Sequence, residues 1–203
     1  VCATSGTVDV WRVDLSRASE DGLAELLCAR ERARAARIVD ARRRALWERS
    51  RGVLRALLAR CLDADPRELR FASGPHGKPM LCNPAATAAG PGVPPGLRFN
   101  LSHSGAAMLV AVTAGREVGV DLERARERHT AEFLRAWTVR EARVKCLGAR
   151  PGAEPIVGAA PVVSEGAPEG MWTTELDVGP WAFAALAVAG REECELHRRD
   201  WPG

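Results

Sequence analysis

Apolar and polar residues alternate from Thr7 to Leu15, which predicts a first strand. Ser16 and Ser19 then offer caps to a helix that carries Leu23, Leu26 and Leu27. An arginine-dense segment, with Arg at 32, 34, 37, 42, 43 and 44, runs into Ala45 to Leu62, where Leu46, Val53, Leu54, Leu57, Leu58 and Leu62 form one apolar helical face. Asp65-Pro66 predicts a bend, Leu69 to Phe71 a short strand, and Gly74-Pro75-His76-Gly77-Lys78-Pro79 a turn. Residues 82 to 98, rich in Pro, Gly and Ala, read as a surface loop.

In the second half, Met108 to Val112, Gly115, and Val118 to Leu122 predict a hairpin. A helix ends at Gly148 and has two candidate starts: Thr130, or Thr138 with Glu141 at capping-box spacing. Residues 149 to 170 read as loop with weak strand character at Ile156-Val157 and Val162-Val163, before strands around Trp172 and Trp181. Val112-Thr113-Ala114-Gly115-Arg116-Glu117 recurs 75 residues later as Ala187-Val188-Ala189-Gly190-Arg191-Glu192, which suggests two similar lobes. The positions equivalent to Asp121 and Glu123 are then Leu196 and Arg198, so only one lobe carries the acids.

The chain has 203 residues, 46% hydrophobic and 27% charged, which describes an ordinary globular protein with one sizeable core or two small lobes. No apolar run reaches membrane-spanning length and the first residues lack a signal-peptide pattern, so neither a membrane span nor a secretory leader is expected. Six scattered cysteines without a C-x-x-C favour free thiols in a reducing compartment over a disulfide framework or zinc site. Basic residues number 29, yet only Lys78 and Lys145 are lysines, compact charges that Arg does not reproduce. The arginine cluster suits a phosphate-binding rim, with a solvated helix surface or a nucleic-acid face as rivals. Against nucleic acid stand the formal charge of only +3 and the absence of interleaved aromatics. A hydrolase is disfavoured, because no acid is placed to complete a triad with Ser102 and His103 and no G-x-S-x-G elbow is present.

The chemistry concentrates after Gly119. Asp121 and Glu123 share one face of a predicted half-buried strand, while Phe133, Trp137, Glu141 and Lys145, four apart, form one helical stripe. Three carboxylates and an ammonium suit a divalent cation held against phosphate oxygens, since magnesium takes hard oxygen ligands and completes its shell with phosphate and water. The plain alternative is a solvated strand end and an ordinary i,i+4 surface pair.

Phe99-Asn100-Leu101-Ser102-His103-Ser104, Val118-Gly119-Val120-Asp121-Leu122-Glu123 and Trp137-Thr138-x-Arg140-Glu141-Ala142-x-x-Lys145-x-x-Gly148 together resemble the signature blocks of surfactin-type 4'-phosphopantetheinyl transferases. Gly77-Lys78-Pro79, the approach to Arg44-Ala45-Leu46, and Gly179-Pro180-Trp181-Ala182-Phe183-Ala184 fit the same pattern, so the resemblance runs from about residue 27 to 189. It implies an α+β pseudodimer of two similar lobes, 1–105 and 106–203, each an antiparallel sheet packed against helices, with the active site at their interface. It also implies transfer of the phosphopantetheine arm of coenzyme A to a serine of an apo acyl or peptidyl carrier protein, releasing 3',5'-ADP. By the same resemblance Asp121, Glu123 and Glu141 hold Mg2+, and Glu141 is the general base. Lys145 neutralises the pyrophosphate, and Arg44, Lys78, Ser102 and His103 bind the coenzyme. A cytoplasmic monomer without nucleic-acid or membrane partners is expected. One departure stands out: nine residues separate Glu123 from Phe133, where the family carries a longer stretch.

Overall fold

The computed structural model describes residues 6–18, 22–74, 77–82, 96–149 and 170–202. The expected strands at Ile156-Val157 and Val162-Val163 lie outside them, as do Ser19 and most of the 82–98 loop. Four layers stack in the order helix, sheet, sheet, helix. The first sheet has the order β4-β5-β1-β9, from Leu97–Ser104, Ala107–Ala114, Thr7–Asp14 and Glu195–Asp200. Its pairings are antiparallel except β1 with β9, which run parallel. The second sheet, β6-β8-β7, is antiparallel and built from Val118–Arg124, Ala182–Ala189 and Met171–Leu176. Phe71–Ser73 and Pro79–Leu81 form the small hairpin β2-β3.

Side-chain alternation places these layers. Val13, Met108, Val110 and Val112 of the first sheet pack on Val53, Leu54, Leu57 and Leu58 of α2, Ala41–Leu62. The other face of that sheet sends Val8, Val10, Leu109 and Ala111 against Val118, Val120, Leu122, Leu186 and Val188 of the second sheet. This explains why β5 reads as a continuous apolar run: both of its faces are core. On the far side of the second sheet lies α3, Ala131–Cys146, where Ala142 and Cys146 meet Ala185 and Ala187.

Several expectations are corrected. Segments 108–112 and 118–122 do not form a hairpin, because β1 and β4 already occupy both edges of β5 and β6 crosses to the second sheet. β9 makes the reciprocal move, leaving β8 to pair with β1. The two Gly-Arg-Glu turns are thus the points where each sheet hands a strand to the other. Residues 105 and 106 form the turn between β4 and β5, whose strands pair from Leu97 with Ala114 to Ser104 with Ala107. β6 is buried on both faces, not half-buried, since α3 covers the side opposite the inter-sheet core. The helix expected around Leu23 to Leu27 is a single 3-10 turn, Ala24–Leu26.

The arginine-rich segment is broken into α1, Ala29–Ala36, and α2 by a corner at Asp40, whose carboxylate accepts the Arg43 N–H at 2.7 Å. Thr130 opens α3, accepting the Phe133 N–H at 3.1 Å, whereas Thr138 lies inside the helix and donates to the Arg135 carbonyl at 3.0 Å. Glu141 is therefore not engaged in a cap. Cys28, Cys82, Cys146 and Cys194 are free thiols, but Cys61 is disulfide-bonded, contrary to the expectation of free cysteines throughout. No helix among the described residues is long and apolar enough to cross a membrane.

Candidate active site

The site is built where β4, β6 and α3 converge. β4 and β6 are edges of different sheets, and they are stitched by side chains rather than by a backbone ladder. Asn100, Ser102 and Ser104, at every second position of β4, accept the N–H groups of Val120, Leu122 and Arg124 at 3.0, 3.2 and 3.2 Å. Buried backbone donors need partners, and this polar alternation in the Phe99 to Ser104 block supplies them. The signal was present in the sequence as a period of two, but without the partner strand it read only as small polar residues.

On the other face of β6, Gly119 lets α3 come close. A Cβ there would lie 2.0 Å from the Ala142 carbonyl oxygen and 2.3 Å from the Cys146 nitrogen. That approach lays Lys145 beside Asp121, with Nζ 2.6 Å from Oδ1, 3.0 Å from the Ser102 hydroxyl and 3.3 Å from the Val120 carbonyl. Ser102 donates in turn to Asp121 Oδ1 at 3.1 Å. Glu141, one turn before Lys145, is 3% exposed, and the Arg140 guanidinium stands 3.7 Å from its Oε1. Glu123 is half-buried on the same face as Asp121. Burial, and then the neighbouring Asp121 charge, push its carboxyl above the usual range.

These groups open into a cleft of about 2130 Å³. From β4, β6 and α3 it takes Ser102, His103, Asp121, Glu123, Trp137, Glu141 and Lys145; from α1 and α2 it takes Arg30, Arg34, Arg37 and Arg51. Arg30, Arg34 and Arg37 recur at i, i+4 and i+7, so they form one stripe. Beside the stripe α1 buries Glu31, which binds Arg51 at 2.8 Å and the fully buried Arg55 at 2.7 Å. Burial raises the cost of charging Glu31, but Arg51, the Cys28 N–H and Arg55 together hold its carboxyl below the usual range. The stripe Phe133, Trp137, Glu141, Lys145 exists as expected: Phe133 stacks on Trp137 at 5.9 Å between centroids, and His129 on Phe133 at 4.9 Å.

Two expected coenzyme residues are not brought to the cleft. Arg44 donates from Nε and Nη2 to the Ile38 carbonyl at 3.0 and 2.8 Å, holding the corner between α1 and α2. Lys78 points away, towards the base of β6 and the end of α3. Ser102 borders the cleft, but its hydroxyl is engaged within the site. Arg42 and Arg43 are exposed and lie outside the lining, whereas Arg30 and Arg51, not singled out in the sequence, belong to it.

Among the described residues, no three His, Cys, Asp or Glu side chains are placed to hold an ion alone. The donors nevertheless fit a hard cation that takes part of its shell from a ligand. Asp121 Oδ2 is buried without a hydrogen-bond partner, and the acids present only oxygen.

Residues 16–115 match the family model described as 4'-phosphopantetheinyl transferase, N-terminal. The 4'-phosphopantetheinyl transferase HetI of Nostoc sp. strain PCC 7120 is 31% identical over 172 residues, covering 71% of this chain and 70% of HetI. The chain belongs to the 4'-phosphopantetheinyl transferase family. A second family relative, slr0495 of Synechocystis sp. strain PCC 6803, which bears the family name provisionally, is 28% identical over 165 residues, covering 68% of this chain and 64% of its own length. The family model ends before β6, so it includes Ser102 and His103 of this transferase-family chain but not Asp121, Glu123, Glu141 or Lys145.

Proposed function

We propose that this chain is a surfactin-type transferase that moves the phosphopantetheine arm of coenzyme A to a serine of an apo acyl or peptidyl carrier protein, in the cytoplasm and as a monomer. The observation that carries the reading is the division of charge within one cleft. An arginine stripe on α1 faces the same space as Asp121, Glu123, Glu141 and Lys145. A ligand with a terminal phosphate and a pyrophosphate has use for both.

In the transfer, the serine oxygen bonds to the phosphorus that bears the pantetheine arm. The bond from that phosphorus to the bridging oxygen breaks, and 3',5'-ADP leaves with the bridging oxygen. Positioning and charge neutralisation dominate such reactions. Asp121, Glu123 and Glu141 would hold magnesium, which when bound neutralises pyrophosphate oxygens. Lys145, four residues after Glu141, supplies a cation that is already ordered by Asp121 and Ser102. Glu141 takes the serine proton directly or through a water. Arg30, Arg34 and Arg37, with the exposed His103, receive the nucleotide phosphate.

Incubation with coenzyme A, magnesium and apo carrier proteins of fatty-acid, polyketide and peptide-synthetase origin should add about 340 Da to at least one carrier, as expected for phosphoryl transfer of this arm. No mass shift on any of them would overturn the reading.

A further inference from the structure

Lys78 occupies a position that neither solvent nor the cleft shares. Its side chain is 10% exposed. Its ammonium stands 2.7 Å from Glu117 Oε2, 2.9 Å from the Val118 carbonyl and 3.3 Å from the Cys146 carbonyl. A lysine has three N–H donors, and here three acceptors match them, so none is left for a coenzyme phosphate.

The acceptors are informative. Val118 begins β6 and Cys146 ends α3, the two elements that carry Asp121 and Lys145. The last carbonyls of a helix lack intrahelical partners and sit at the negative end of its dipole. A compact ammonium satisfies both conditions at once. The Cys146 thiol adds a second tie, donating to the Glu117 carbonyl at 3.3 Å, and burial pushes that thiol up to about 11. Arg98 holds the other oxygen of Glu117 at 2.7 Å. Lys78 itself extends from the β2-β3 hairpin, where its own carbonyl accepts the Gly74 N–H at 2.8 Å.

We propose that Lys78 is a positioning residue. From a hairpin of the first half it clamps the end of α3 to the start of β6, fixing the register that brings Lys145 to Asp121. The proposal rests on the transferase reading above, and replaces coenzyme binding as the role of this lysine.

The test compares Lys78→Met with the parent chain by three measurements. Transfer kinetics should show kcat lowered about ten- to hundredfold, the scale of a small misplacement of reacting groups. Calorimetry with adenosine 3',5'-bisphosphate alone should show unchanged affinity. Amide hydrogen exchange should quicken in Lys145 to Gly148 and Val118 to Asp121 and stay unchanged in α2. A loss of nucleotide affinity of about tenfold or more with kcat preserved would make Lys78 a ligand and overturn the clamp. Uniformly faster exchange, α2 included, would overturn it in favour of a general stability role. Should Lys78→Met fail to fold, Glu117→Gln weakens the same clamp while leaving both carbonyl contacts, and the same local exchange pattern is expected. If the parent chain transfers to no carrier, the transferase reading falls while exchange and nucleotide binding still decide between clamp and ligand.

Discussion

Ser102 and Asp121 are joined by a hydrogen bond of 3.1 Å that completes the capacity of the serine hydroxyl. The same oxygen accepts from the Leu122 N–H and from Lys145, so one donor and two acceptor positions are all used. Through this atom the edge of the first sheet, the edge of the second and the helix α3 are referred to a single point.

Replacing Ser102 by Ala should therefore act on both stability and rate. It strands a buried N–H, which costs about 1–3 kcal/mol, and removes one of the three acceptors that orient Lys145. Urea denaturation read beside the carrier mass-shift assay should show both effects. An unchanged rate would detach Ser102 from the site.

Gly119→Ala should be more damaging than its size suggests. The new methyl would collide with the backbone at Ala142 and Cys146, which cannot rotate away. Overpacking of this kind costs about 3 kcal/mol, and α3 must shift, so transfer should be lost even where the fold survives. Circular dichroism melting and the mass-shift assay check the two parts.

Asp121→Ala should abolish transfer, at a cost of at least about hundredfold, with the fold retained. Lys145 keeps the Ser102 hydroxyl and the Val120 carbonyl as partners. Chelation by EDTA should silence the parent chain and added magnesium restore it. Full activity in the alanine variant would remove Asp121 from the metal assignment.

Neutralising Arg30, Arg34 and Arg37 together should raise the KM for coenzyme A and leave kcat nearly unchanged, because the stripe binds rather than reacts. The salt dependence of KM should flatten as well. A fall in kcat at unchanged KM would contradict that division of labour.

The pH dependence of stability should carry a contribution from Glu31. Its carboxyl is held below the usual value of 4.5 in the folded chain, so its stabilisation is complete above that pH and is lost as pH falls through the lowered folded value. Glu31→Gln should cost about 3 kcal/mol at neutral pH, as when one member of a buried pair is removed. The difference from the parent chain should shrink in acid, as denaturant midpoints measured across pH would reveal.

The sequence disclosed most where chemistry and periodicity coincide. Asp121 and Glu123 could be placed on one strand face, and Glu141 and Lys145 on one helical stripe, from spacing alone, whereas the α+β class came only with the family resemblance. What stayed hidden depends on contacts between distant parts of the chain. That β6 abandons β5 is decided by β1, more than a hundred residues away, having taken the free edge. The destination of a long cation is equally invisible: Lys78 and Arg44 carry the residue type of a phosphate ligand, yet both terminate on backbone carbonyls. Glu31, set among arginines, gave no sign of being the buried anion around which Arg51 and Arg55 are arranged.

The pairing of β9 with β1 carries a kinetic consequence. Arg12 and Asp200, bonded at 2.7 Å, are 188 positions apart, so β1 receives one of its neighbours from a segment translated long after it. Such distant closure pays nearly the full loop entropy before any reward arrives. On the ribosome, β1 must wait with an open edge until residues 195 to 200 emerge. Refolding should be slow, and the waiting edge is where a chaperone would be needed.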